Sequence, residues 1–469
     1  MRAAAARPRG PLLLLLPVLL ALAGPAAAAR ALRRYDHSDL GARGRAREGR
    51  EVPPDAAAAG PRTACDCRLG DVLRAGACAP VSDVAAYYPP PAEAEGRAAC
   101  PDWEARSEEL QRHLRSLQRS ECAPKRFAPS TLPRHGFGSS FMYAVYGLAR
   151  GQLLGRAFDV IPGSLKLFAG GSCGAAFTCY LRPFSSCGEV GFRRWKKEGK
   201  KEGKLKFSEV KEAYAGAPVS KFLKPDERTP VDVPAEYADR GSLAWYHSEL
   251  VAHLWQANAE VRNSVEDVKR RIGYRHPIIA MHVRHGDACR DVYRTRRCYP
   301  LAEYMAHAQR MKDRYGVADI FLATDDPEVV REAEAGYPGF RFAFAPVDRA
   351  WYGAPAAGSA EAREQETEEG QRQYEAGYVE KRLKYGEGDP AKVGLEAVID
   401  TELMGQADFF IGTLGSNMDR LAFELILSRQ RRVVPFASLD IGWCASYNSA
   451  GVGQLVTSAA DGSKVRFDC

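Results

Sequence analysis

After its first thirty residues the sequence has no long apolar run: past Pro11–Ala29 nothing approaches the roughly 20 residues a helix needs to cross a bilayer. Everything beyond residue 30 is therefore expected on one side of a membrane. A strong charge imbalance is also missing, since 66 basic residues against 59 acidic ones leave +7 over 469 residues. That excess is too small to make a case for nucleic acid. Paired Cys-x2-Cys spacings with histidine partners do not occur, which removes a zinc module. What is present is a globular composition, 45% hydrophobic and 10% aromatic, which excludes a disordered or collagen-like chain. At about 150 residues per domain, the length bounds the chain to about three units.

The first thirty residues bear on the compartment. Arg2, Arg7 and Arg9 precede the apolar run, and the small residues Ala26 to Ala29 follow it. This is the pattern of a secretory signal, either cleaved or retained as a single-pass type II anchor with its basic end in the cytoplasm. Twelve cysteines, clustered as Cys65, Cys67, Cys78; Cys100, Cys122; Cys173, Cys179, Cys187; Cys289, Cys298; and Cys444, Cys469, agree with an oxidising lumen and local disulfides, their pairing left open.

Residues 31–123 are rich in Ala, Arg, Gly and Pro and read as a stalk or linker with a cysteine cluster. Residues 124–275 read as an N-terminal α/β domain on the acceptor side. There Phe141, Tyr143, Ala144, Val145, Leu148 and Leu153 predict a helix entered through Gly136-Phe137-Gly138, a turn compatible with a ligand loop. The basic run Arg193–Lys206 reads as a solvated loop. From 276 to 469 the pattern is regular. Strand-like Ile278–Val283, Ile320–Ala323, Phe340–Ala345 and Phe409–Ile411 alternate with helices opened by Pro300 and Pro327, then marked by Leu395, Val398, Ile399 and Leu403, and by Met418, Leu421, Ala422, Leu425 and Ile426. Ala354–Gln373 reads as a surface insertion. Short buried strands alternating with helices predict an α/β, parallel, doubly wound sheet.

Such sheets bind ligands beyond the carboxyl ends of their strands. The first strand runs into His282-Val283-Arg284, the second into Asp325-Asp326-Pro327, and the third through Gly412 to Ser416 into a helix. Arg284 offers a planar fork to a phosphate, and a helix N-terminus opposite it favours an anion. Each residue also has a structural use. His282 suits a satisfied strand histidine and Arg284 a paired cation, Asp326 suits an N-cap before Pro327, and Ser416 with Asp419 suits a capping-box-like pair. Their joint placement on one sheet edge favours a pyrophosphate site and, in a lumenal protein, a nucleotide-sugar. A glycosidase built on Asp325 and Asp326 is disfavoured, because adjacent residues rarely flank one bond at the roughly 5–9 Å this chemistry needs.

The residues Gly273-Tyr274-Arg275-His276-Pro277-Ile278-Ile279-Ala280-Met281-His282-Val283-Arg284 resemble the strand entering the first motif of eukaryotic alpha-1,6-fucosyltransferases, within the wider alpha-1,2/alpha-1,6/O-fucosyltransferase superfamily. Leu322-Ala323-Thr324-Asp325-Asp326-Pro327 resembles the second motif, and Ile399-Asp400, Gln406-Ala407-Asp408-Phe409 and Ser416 to Arg420 with Ala422 and Glu424 the third. The resemblance implies a GT-B-like fold of two facing Rossmann-like domains, 276–469 being the GDP-fucose-binding one. It further implies transfer with inversion to a glycan, N-glycan fucosylation in the Golgi or secretory lumen, and no metal or other cofactor. By position, His282 and Asp400 are implied to read guanine and Arg284 to neutralise the β-phosphate. Ser416 and Asn417, followed by Arg420, are implied to bind the pyrophosphate. Asp325, Asp326 and Asp408 are implied as supporting carboxylates. A base near the acceptor hydroxyl is expected, and Asp287 and Asp291 are its nearest candidates in sequence. Two departures stand out: His285 replaces the family's second arginine, and Ala288 its lysine. Protein O-fucosylation and a non-catalytic nucleotide-sugar or glycan-binding protein remain the alternatives.

Overall fold

The computed structural model describes residues 63–94, 100–198 except 124, 125, 131, 133, 134, 171, 172 and 175, then 233–286, 298–352, 378–445 and two strands at 453–457 and 464–468. The expected signal or anchor, the Ala354–Gln373 insertion, and Asp287 and Asp291 lie outside these residues. Among the described residues no helix is long and apolar enough to cross a membrane.

The strands relevant here are β1 (Asp71–Arg74), β2 (Ala77–Pro80), β3 (Ala86–Tyr87), β4 (Phe127–Ser130), β5 (Ala157–Val160), β6 (Ile278–Val283), β7 (Asp319–Thr324), β8 (Arg341–Ala343), β9 (Phe409–Gly412) and β10 (Phe436–Ser438). The main helices are α1 (Pro101–Gln118), α2 (Phe137–Leu153), α3 (Leu243–Leu254), α4 (Ala259–Ile272), α5 (Leu301–Tyr315), α6 (Pro327–Gly336), α7 (Pro390–Met404) and α8 (Asn417–Gln430). A six-stranded sheet runs in the order β3-β10-β9-β6-β7-β8. All its neighbours are parallel except the edge strand β3, which pairs antiparallel with β10. The fold is therefore mixed α/β with a mostly parallel, doubly wound sheet, as the strand–helix alternation predicted. In the segment before residue 275, β4 and β5 form a two-stranded parallel pair joined through α2.

All six residues of β6 are buried, because helices cover both faces of the sheet. Strand alternation splits them. Ile278 and Ala280 join Phe410, Leu421 and Phe423 in one core, while Ile279, Met281 and Val283 join Leu301, Met305 and Met311 of α5 in the other. Proline and aspartate place the helix starts: Asp326 accepts from Glu328 N at 2.9 Å ahead of Pro327, and Asp389 from Ala391 N at 2.9 Å ahead of Pro390.

The stalk reading fails for the described part of 31–123. Residues 71–80 form a hairpin, Ala86–Tyr87 supply the sheet's edge strand, and α1 buries Trp103, Leu110 and Leu114 along one stripe. Two of the four described disulfides are local, Cys67–Cys78 and Cys173–Cys179. The other two, Cys65–Cys100 and Cys122–Cys187, join different clusters and fasten this segment. Residues 193–198, expected in a loop, close the helix Gly188–Glu198. No break in packing marks residue 275, since α8 packs against both α2 and α3.

Candidate active site

The parallel strands run outward from β6 in both directions, to β7 and β8 on one side and to β9 and β10 on the other. The crevice beyond the carboxyl ends of β6 and β9 is thus the point where the winding reverses, and there such sheets bind their ligands. His282 is the penultimate residue of β6, Arg284 stands just past its end, and Gly412 ends β9 and opens the loop into α8.

His282 lies on the α8 side of the sheet. Its Nδ1 is 2.7 Å from Oδ2 of the fully buried Asp419, in the first turn of α8, and Asp419 Oδ1 accepts from Thr413 N at 3.0 Å. One carboxylate thereby ties the end of β6 to the loop before α8 and to α8 itself. Burial alone would lower the His282 imidazole, but the charge and hydrogen bond of Asp419 outweigh it and the shift is upward. Gly412 makes the approach possible, because a Cβ there would stand 2.1 Å from Asp419 Oδ1. Asp419 therefore does not close a capping box with Ser416, whose side chain makes no cap hydrogen bond.

The amides of the Gly412–Ser416 loop are already engaged. Thr413 N donates to Asp419, Leu414 N to Ser438 Oγ at 2.9 Å, Gly415 N to Asp440 Oδ2 at 3.1 Å, and Ser416 N to Thr413 O at 2.8 Å. An anion here would meet the first-turn N–H groups of α8, at 417 to 419, rather than the loop. Asp440 is held by Ser438 Oγ and Ile441 N, both at 2.7 Å, and burial pushes its carboxyl up to about 6 against those bonds. Beside α8, the glycine-rich entry to α2 comes close: a Cβ on Gly138 would lie 2.8 Å from Met418 Sδ and 3.1 Å from Met418 N. Gly136 is the N-cap of α2, and Phe137 is buried edge-on against Phe168, Phe177 and Trp255. The structure thus sets two helix N-termini side by side.

Arg284 pairs with Asp325 Oδ2 through Nη1, and Asp325 Oδ1 accepts from His285 N at 3.0 Å. Gly286 permits this, since a Cβ would stand 2.3 Å from Asp325 Oδ2. Asp326 caps α6 and meets His285 Nδ1 at 3.0 Å, while His285 Nε2 lies 2.9 Å from Tyr299 O. Among the described residues no cluster of His, Cys, Asp or Glu suits a metal ion.

Asp400, on α7, carries a buried Oδ1 with no hydrogen-bond partner. Burial raises its carboxyl to about 6, with Arg349 and His282 pulling it back and Glu396 adding to the rise. Arg349 itself is buried, donates to Ala345 O at 3.1 Å, and lies over the Phe344 ring at 5.3 Å. Asp408 is not brought to this crevice. It stands before β9, at the opposite end of the sheet, where Oδ2 accepts from Ile278 N at 2.8 Å and meets His276 Nδ1 at 2.8 Å. Arg420 is buried and donates to Asn417 Oδ1 and, at 3.3 Å, to Cys444 O, so its guanidinium braces the start of α8. Asp440 and Arg349 were missed in the sequence, and Asp419 was noted only as a cap.

Residues 222–348 match the family model of alpha-(1,6)-fucosyltransferase N- and catalytic domains. That stretch holds His282, Arg284, Asp325 and Asp326, and ends before Asp400 and Ser416. An alpha-(1,6)-fucosyltransferase of Drosophila melanogaster is 27% identical over 127 residues, covering 24% of this chain and 20% of the fly protein. Among solved structures, the Bradyrhizobium fucosyltransferase NodZ matches at 17% identity over 64% of this chain and 92% of its own, with a TM-score of 0.34. POFUT1 in complex with GDP-fucose matches at 12% identity over 70% of this chain and 100% of its own, also with a TM-score of 0.34.

Proposed function

From the match of residues 222–348 to the alpha-(1,6)-fucosyltransferase family model, we propose that the chain transfers fucose from GDP-fucose, with inversion and without a metal, to a glycan acceptor. The observation that carries the reading is the crevice at the winding reversal, where Arg284 follows β6 and the His282–Asp419 bond fixes the start of α8 beside it.

In this reading the diphosphate of GDP lies between Arg284 and the first-turn amides of α8, with Ser416 and Asn417 at its edge. As the glycosidic bond breaks, positive charge grows on the sugar and negative charge on the β-phosphate oxygen. Arg284, oriented by Asp325, and the N-terminus of α8 meet that negative charge. Asp400, with its unpartnered buried oxygen, accepts from the paired N–H donors of guanine, beside His282. Asp325 and Asp326 serve the protein rather than a cation, since Arg284, His285 and the α6 amides already occupy them. The acceptor hydroxyl attacks from the face opposite GDP, its proton taken by a carboxylate for which Asp287 and Asp291 are the candidates. The disulfides and the basic, apolar N-terminal sequence support action in the secretory lumen, either anchored or released.

One observation favours a second reading, a nucleotide-sugar-binding protein without turnover. His285, at the position of the family's second arginine, is held by Asp326 and Tyr299 O. Incubating the chain with GDP-fucose and a panel of glycans and peptides, read by mass, separates the readings. Addition of one fucose to a glycan supports transfer. Addition to a peptide hydroxyl would make it a protein O-fucosyltransferase. GDP binding with no product would leave the binder.

A further inference from the structure

At the far end of α8 from that crevice lies a concave pocket of about 500 Å³. At about 1.5 Å per residue, the 14 residues of α8 separate the two by about 20 Å. Five arginines and two glutamates line the pocket. Both glutamates are already committed. Glu402 receives Arg429 Nη2 at 2.8 and 2.9 Å and Trp255 Nε1 at 2.7 Å. Glu249 receives Ser107 Oγ at 2.7 Å, Gln111 Nε2 at 2.9 Å and Arg431 at 3.3 Å. Arg429 and Arg431 have a structural purpose, as partners of these carboxylates and as cations at the C-terminal end of a helix.

Arg115 in the last turn of α1, Arg182, and Arg262 of α4 have no such carboxylate partner among the described residues. They are exposed at the pocket and come from three separate parts of the chain. Arg262 donates to the Ala257 carbonyl at 2.5 Å. With both carboxylates of the lining already paired, these three guanidinium groups leave the pocket with an unbalanced positive charge that an anion would offset. The neighbouring His253 registers the same field: burial first, then the charge of Arg115, pull its imidazole down to about 4.

We propose that this pocket is a second binding site, for a saccharide-sized polyanion carrying at least two sulfate or phosphate esters. A volume of 300–1,000 Å³ suits a ligand of roughly that size. Guanidinium forks match tetrahedral oxyanions two bonds at a time. The aromatic ring in the floor, Trp255, is only 2% exposed and offers no face for stacking, so the ligand is recognised through its charges.

The test is calorimetry of the full chain with inorganic pyrophosphate and with a disulfated disaccharide, compared with R115Q/R182Q/R262Q and R115K/R182K/R262K. The readout is the difference between proteins, so oxyanion binding elsewhere cancels. Binding should weaken about tenfold or more in the glutamine triple and recover in part in the lysine triple, with GDP affinity unchanged in both. R182Q alone, in a loop, should weaken binding in the same direction without touching a helix. Pyrophosphate binding alone points to a small phosphorylated ligand, and disaccharide binding to a sulfated glycan. Equal binding by wild type and R115Q/R182Q/R262Q, or no binding of either probe by wild type, overturns the proposal.

Discussion

Asp400→Asn should act in opposite directions on the free protein and on its nucleotide complex. The folded carboxyl titrates at about 6 against an ordinary 3.8, so its charged form is disfavoured by the fold. The penalty is absent at a pH below the unfolded value, grows as the pH rises between the two, and is complete above about 7. At about 1.4 kcal/mol per unit, this shift corresponds to at most about 3 kcal/mol. Asparagine keeps the shape without the charge. The variant should therefore unfold later than wild type at pH 8, by a margin that shrinks as the pH falls and is gone by about pH 3. Guanine, in contrast, presents two donors to this position, and the asparagine turns an acceptor into a donor facing a donor. GDP affinity should then fall by a few kcal/mol while UDP affinity hardly changes. Thermal unfolding at a series of pH values, with calorimetry of GDP and UDP on both proteins, reads both effects. A variant no more stable than wild type at pH 8 would refute the burial argument. A GDP preference that survives intact would mean that another residue reads the base.

Arg284→Ala should lower turnover by at least about a hundredfold in steady-state assays, with Arg284→Lys recovering only part because the fork is lost. Full activity in a folded Arg284→Ala would remove the proposed charge stabilisation. Transfer should persist in EDTA, and loss of activity restored by Mg²⁺ or Mn²⁺ would contradict the engagement of Asp325 and Asp326 by protein groups. Gly412→Ala would drive a Cβ to 2.1 Å from Asp419 Oδ1, so denaturant titration should show a loss of about 1–3 kcal/mol, with GDP binding weakened through the displaced His282. An unaffected GDP affinity would separate the His282–Asp419 bond from the site.

What could be read in the sequence was what depends on near neighbours. Ile278–Val283 announced a strand covered on both faces, and Asp326-Pro327 a helix start, because burial on both sides and capping each act over a few residues. Alternation put His282 and Arg284 on one side of the mouth without any knowledge of the partner helix. Asp419 was seen only as a local cap, since its actual partner, His282, lies 137 residues away. Asp440 carried no local signal, for its role is to accept a loop amide 25 residues upstream. Asp408 misled for a related reason: a residue beside a buried strand can stand at either end of it, and here it holds the entry of β6. Between residues 63 and 123 periodicity showed only over Glu108–Arg119, and the abundance of Ala, Arg, Gly and Pro hid the first half of α1 with Trp103 and a two-residue strand.

That short strand bears on where the chain can be cut. Ala86 and Tyr87 pair with Ala437 and Phe436, closing the open side of β10, while Arg432 Nη1 donates to Glu93 O at 2.7 Å nearby. A protein trimmed at residue 124, where composition suggests the folded part begins, would leave the backbone of β10 without its neighbour and strip Trp103, Leu110 and Leu114 from the helices they cover. An uncovered edge of this kind recruits strands from other molecules. Soluble material therefore calls for a start upstream of Cys65, so that both the edge strand and the Cys65–Cys100 bond that fastens its segment are retained.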